Sequence, residues 1–250
     1  MNISKKLSVS QAYTRSWDVF RQRPLFFVSL MLLIFAVGTV GGSLLDIAVP
    51  SATGGSVSLL TLVVLFSALF VVLVSELFKF GLKKICLRLV RDSSVSYEHL
   101  VSSYTRGTRY VVCLLIFNLI VLGVPLLVLS AGLSLTATDL MLVAGTTAGS
   151  IVLAVVIGLG GFLALVLHLY PYVLLDNPGS IRQIFNDAWT LTDNARFDLV
   201  IFYAVAALLN FVGALVFGVG LLITIPLTII AQADVYQQLR KHTFSFDTND

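Results

Sequence analysis

Charge is what this 250-residue chain has least of: Asp, Glu, Lys and Arg make up 12% of it, about half the share found in an ordinary soluble domain. Cysteine is scarce too, with only Cys86 and Cys113, and there are six prolines. Each shortage excludes something. Two cysteines do not make a disulfide framework. No glycine-rich phosphate loop with a following lysine occurs, which argues against an ATPase, and no His/Cys/Asp/Glu cluster has metal-ligand spacing. A credible Ser–His–Asp set is missing, as is a polar segment large enough to fold as a separate catalytic domain. The expectation is a chain with no enzymatic activity, no metal and no cofactor.

What fills the space is apolar. Hydrophobic residues reach 58%, more than one soluble core can bury. The charge-free stretches 24–45, 110–138 and 199–233 each exceed the roughly 20 residues that a bilayer crossing requires. The fold class expected is an all-α integral membrane protein, one polytopic domain over residues 1–242 followed by a polar tail at 243–250. Residues before Pro24 are polar on one face and lack a continuous apolar core, so they do not read as a cleaved signal.

Taken in order, the chain predicts a helix from Ser8, with Gln11 completing a capping box. A first span follows at 25–46 after the break at Pro24. The sequence PSATGGS at 50–56 is turn chemistry. A second span from Val57 leaves the membrane around Glu76–Phe80 and continues as a cationic helix through Lys83, Lys84, Arg88 and Arg91. Tyr97, Leu100, Val101 and Tyr104 mark a weaker amphipathic segment. The third span is expected at 110–130 and the fourth at 140–172, with Gly158, Gly160 and Gly161 the place for a bend. The segment DNPGS at 176–180 stops the chain, and Ser180 restarts it as a cap. The last apolar run is either one long helix or a hairpin turning at Gly218–Gly220; two helices, 197–217 and 220–238, are preferred.

Charge placement supplies the reason for that preference. Of the 16 Lys and Arg residues, five precede the first span, seven lie in 79–109, two in 182–196 and two at 240–241. Segments 46–56, 130–139 and 218–220 carry none. Positive residues favour the cytoplasmic side, and six spans with both termini cytoplasmic satisfy this rule everywhere.

An internal repeat is also legible. Shifting the first amphipathic helix by 172 residues pairs Val9 with Ile181, Ala12 with Ile184, Tyr13 with Phe185, Ser16 with Ala188 and Trp17 with Trp189. The apolar faces stay in phase. With the middle segment as a looser third copy, the units run 7–92, 93–177 and 178–242, each an interfacial helix followed by a transmembrane hairpin. Such helices brace the ends of a bundle; they can also set Trp at the headgroup boundary and offer cations to anionic lipid. The lipid-contacting candidates are Arg15, Trp17, Arg21, Lys83, Lys84 and Trp189. Ionisable or polar groups at membrane depth are the other pointers: Glu76, Asn118, His168, Asn210 and Asp234. Glu76 is expected to pair with Lys79 or Lys83, Asp234 with Arg240, and the two asparagines to hydrogen-bond between helices. A lone histidine at the depth of His168 is more often hydrogen-bonded at the interface than a proton relay.

Three stretches carry a family resemblance: AYTRSWDVFRQRPLFFVSL, the basic exit GLKKICLRLVRD, and VLLDNPGSIRQIFNDAWTLTDNARFDLVIF with the Gly-rich hairpin after it. They are similar to YciC-like bacterial six-span proteins and to the membrane region preceding some glycerophosphoryl diester phosphodiesterase domains. The resemblance implies an inner-membrane helical bundle with amphipathic connectors. No phosphodiesterase domain is present, so that activity does not come with it. The function expected is structural, lipid-associated or partner-scaffolding, with anionic membrane lipids, protein partners or a second copy as partners and no nucleic acid. The alternative is a small-molecule transporter or channel, suggested by the span count, the repeat and His168.

Overall fold

The computed structural model describes residues 7–53, 59–91, 107–123, 125, 147–177, 179–193, 195–216 and 218–244. Every regular element among them is helical. They are α1 (Val9–Gln22), α2 (Pro24–Thr53), α3 (Leu59–Val90), α4 (Gly107–Asn118), a π-helical turn at Leu119–Gly123, α5 (Thr147–Leu167), α6 (Tyr170–Asp176), α7 (Ile181–Thr192), α8 (Arg196–Leu215) and α9 (Leu221–Phe244). The amphipathic segment at 97–104, the turn at 136–139 and most of the polar tail lie outside the described residues.

Local chemistry sets the boundaries. Ser8 caps α1, its Oγ accepting from Gln11 N at 3.3 Å. Arg23 leaves helical geometry (φ −143°, ψ 55°) because the residue before a proline is pushed out of the α region. Pro24 then opens α2, where its missing N–H costs nothing. Pro171 does the same work further on. It offers no N–H to the Leu167 carbonyl, so the helix stops at Leu167 and restarts at Tyr170 across His168 and Leu169. The helix runs through Gly158, Gly160 and Gly161 without interruption, so the break falls at the proline and not at the glycines. Gly218, at φ 74°, turns the chain between α8 and α9 in a conformation that side-chain-bearing residues rarely adopt. This is the preferred two-helix hairpin.

Among the described residues, four helical stretches are long and apolar enough to cross a membrane: Pro24–Leu44, Leu62–Val90, Ala154–Asp176 (with its break before Pro171) and Arg196–Leu215. Gly107–Gly123 is apolar but shorter. α9 is apolar over its first half only; Gln232, Asp234, Gln237, Gln238, Arg240 and Lys241 follow. Phe66, Phe70, Leu208 and Phe211 on the long helices are exposed. A surface of that kind is a liability in water and ordinary in hydrocarbon, as expected of a membrane-embedded protein.

The chain divides into two compact units, residues 1–108 with 201–250, and residues 109–200. In the first, α2 packs along α3, and α9 packs on both while also carrying α1. Its core joins Ala12 and Phe20 of α1, Phe27 and Ile34 of α2, Phe80 and Ile85 of α3, and Ile230 and Tyr236 of α9. In the second, α7 packs on α5 and α6, and the π turn meets α5. Tyr170 is the ring at its centre, with centroids 6.3 Å from Tyr110, 5.2 Å from Phe117 and 5.6 Å from Phe185.

Candidate functional site

The polar half of α9 organises the first unit. Asp234 is buried, its side chain 4% exposed, and Arg15 of α1 reaches it with Nη1 3.4 Å from Oδ1. The other guanidinium nitrogen of Arg15, Nη2, donates to the Val90 carbonyl at 2.6 Å, closing the last turn of α3. Gln238, one turn beyond Asp234, donates from Nε2 to Oδ2 at 2.7 Å. Its Oε1 accepts from the Ser8 N–H at 3.1 Å. The Gln237 side-chain oxygen accepts from the Arg91 guanidinium at Nε and Nη2 (2.6 Å for Nη2). Arg15, Asp234 and Gln238 thus tie the start of α1, the end of α3 and α9 into one hub. A carboxylate buried this deeply is stable only when paired and hydrogen-bonded.

Two expectations change here. Asp234 pairs with Arg15 and Gln238 in place of Arg240. Six residues along a helix rotate the side chain about 240°, whereas Gln238 at i+4 lies on the same face. The capping box at Ser8 is completed differently as well. Gln11 N bonds the Ser8 hydroxyl, but the Ser8 N–H is taken by Gln238 of α9. In α7 the box is self-contained, with the Ser180 N–H donating to Gln183 Oε1 at 2.8 Å.

α1 packs on α9 and buries two small residues and one ring. Ala12 and Ser16 are fully buried and Phe20 nearly so, while Trp17 is 51% exposed. The Tyr13 hydroxyl donates to the Phe202 carbonyl at 3.4 Å, and the two rings stack at 5.4 Å. Burial pushes that hydroxyl well above the usual tyrosine range, so it remains a donor. Arg21 stays on the surface, 2.9 Å from Asp18. On α3, Glu76 pairs with Lys79 at 2.6 Å as expected, and Lys83 and Lys84 are half-buried.

In the second unit Arg196, at the start of α8, lies over two rings. Its guanidinium carbon is 4.9 Å from the Trp189 centroid and 5.5 Å from that of Phe162, with Asp193 at 2.9 Å. Nothing in the sequence signalled this clamp except the closeness of Trp189, Asp193 and Arg196. His168 occupies the turn between α5 and α6 and is half-buried. Asn118 bonds its own helix, Nδ2 to the Leu114 carbonyl at 2.8 Å, immediately before the π turn. Asn210 does reach across helices, Nδ2 to Thr228 Oγ1 at 3.5 Å. Asn118 and His168 fall in one unit and Asn210 in the other.

The 172-residue shift can be laid over the described elements as well. It maps Ser8 onto Ser180, both N-caps, and the first residues of α1 and α2 onto those of α7 and α8. It also pairs buried positions: Ala12 with Ile184, Ser16 with Ala188, Phe20 with Thr192, Phe27 with Leu199, Leu30 with Phe202 and Ile34 with Ala206.

No group of three or more His, Cys, Asp or Glu residues poised to hold a metal occurs among the described residues. Comparison with protein-family models, curated proteins and solved structures finds no match.

Proposed function

We propose that the protein is a non-enzymatic six-span protein of a bacterial cytoplasmic membrane, with both termini in the cytoplasm and the repeated interfacial-helix-plus-hairpin unit as its building block. Its work is structural: it braces a cation-rich cytoplasmic end and presents that end to anionic lipid or to a protein partner. The resemblance to YciC-like proteins belongs to this reading. The observation that carries it is the split character of the first unit. The long helices turn bare apolar surface outward, whereas the end where α1, α3 and α9 meet holds the hub and a concentration of Lys and Arg. A membrane supplies both environments, hydrocarbon for the one and phosphate headgroups for the other.

The lipid part is tested by native mass spectrometry of the protein released from nanodiscs that mix phosphatidylglycerol with phosphatidylcholine. Replacing Arg21, Arg23, Lys84 and Arg182 with glutamine should lower retained phosphatidylglycerol several-fold; unchanged retention removes lipid recognition from the reading. Arg15 is left intact, because its neutralisation damages the fold. The topology part is tested with single cysteines at Val219 and Thr243. An impermeant maleimide applied outside spheroplasts should label the first and reach the second only after permeabilisation; labelling of both from outside refutes the six-span arrangement. Transport, the alternative, would draw on Asn210 and His168. Asn210 already bonds Thr228 within the α8–α9 hairpin, which is the ordinary use of such a residue in a membrane helix.

A further inference from the structure

The attachment of α1 to the rest of the first unit is of an unusual kind. Of the residues it buries, Ala12 and Ser16 contribute little apolar area, and Phe20 stacks on Phe27 of α2 across the break at Arg23. The part of the helix before Phe20 therefore relies on polar anchors: Ser8 to Gln238, Tyr13 to the Phe202 carbonyl, and Arg15 to Asp234 and the Val90 carbonyl. The chain leaves helical geometry at Arg23, directly after α1, which gives the helix a hinge. Away from α9 the same helix presents Trp17 and Arg21, and Leu25 beyond the hinge is 83% exposed. That combination of an aromatic, a cation and an aliphatic residue is what an interfacial helix uses on an anionic membrane surface.

We infer that α1 is a two-position helix, seated on α9 or laid on anionic lipid, with Asp234 and the lipid phosphate competing for the Arg15 guanidinium. Each rival offers a pair of oxygens that the planar guanidinium can bind through two N–H groups. Seated, α1 gives Asp234 its cation, caps its own first turn through Gln238 and closes the last carbonyls of α3. Released, it carries Arg15, Arg21 and Arg23 to the headgroups and leaves Asp234 and Gln238 open to water. The balance follows the anionic lipid content of the bilayer, because only the released state gains from phosphates that no headgroup cation neutralises. This inference rests on the membrane reading above.

Ser16, fully buried in the seam and bonded only within its own helix, to the Ala12 carbonyl, gives a nearly isosteric probe. The full-length Ser16→Cys protein is placed in nanodiscs of pure phosphatidylcholine or rich in phosphatidylglycerol. Its labelling by N-ethylmaleimide is timed against the parent protein, whose Cys86 and Cys113 are buried. The expected result is about tenfold faster labelling in the anionic discs. Asp234→Asn should speed labelling by a similar factor in both lipids, keeping the ratio between them, and Asp234→Glu should restore the original rate. Equal rates in the two lipids overturn the inference, and so does an Asp234→Asn protein that labels no faster than its parent or loses the lipid dependence. If phosphatidylglycerol is retained but the rates are equal, α1 is fixed while the lipid reading stands; if none is retained, the lipid reading itself fails.

Discussion

Gly213 and Gly220 meet backbone to backbone: a Cβ added to Gly220 would lie 2.6 Å from the Gly213 carbonyl oxygen and 2.7 Å from its Cα. A Cβ on Gly213 would in turn strike Thr224 Oγ1 at 2.6 Å. The α8–α9 hairpin therefore closes only because two side chains are absent. Gly220→Ala should cost about 1–3 kcal/mol through forced separation of the helices, seen as a lower midpoint of thermal unfolding in detergent. Gly158→Ala, where nothing lies within 4 Å, should leave the midpoint unchanged or raise it slightly.

The Arg15–Asp234 pair predicts strong coupling. Arg15→Gln alone strands a buried carboxylate and should destabilise by about 3–5 kcal/mol. The double variant with Asp234→Asn removes both charges and should recover most of that loss. A double-mutant cycle with additive costs would mean that the two side chains do not share their energy.

Capping gives a sharper contrast between α1 and α7. Gln238→Leu removes the acceptor of the Ser8 N–H and a donor to Asp234, so it should cost more than Gln11→Leu, which touches neither bond. In α7 the order reverses. Gln183→Leu breaks the local box and should cost about 1 kcal/mol, measured as faster amide hydrogen exchange through the first turn of that helix.

Stacking of Arg196 on Trp189 makes the indole a reporter. In a Trp17→Phe background Trp189 is the sole tryptophan. Arg196→Gln should then shift its emission maximum and raise its accessibility to an aqueous quencher, while Arg196→Lys should shift it less. The loss of stability expected is about 0.5–2 kcal/mol.

What the sequence disclosed were features whose cause is local. Pro24 and the Ser180 cap stand where the residues themselves place them, and so does the turn at Gly218. The phase of α1 and α7 follows from helical spacing. What it did not disclose were contacts made at a distance. Ser8 and Gln238 are 230 positions apart, and no periodicity links them or Arg15 with Asp234. Nor did it disclose the positions used for close approach, which are Gly41 against Val71 and Val72, and Gly213 against Gly220. Spacing along one helix does not say which turn its neighbour touches. Trp17 shows the same limit. It sits on the apolar face by its spacing, yet Ala12 and Ser16 are the residues fully buried and the indole is 51% exposed.

The seat of α1 is made by the last helix of the chain. At about 5–20 residues per second of synthesis, the ribosome needs roughly 10–45 s after finishing α1 before α9 is complete. For that whole interval Asp234 and Gln238, which meet Arg15 and the Ser8 N–H in the finished fold, do not yet exist, so this part of the seat forms last. A chain truncated before Asp234 carries a finished first helix without the carboxylate and the amide that hold Arg15 and the Ser8 N–H in the full-length fold.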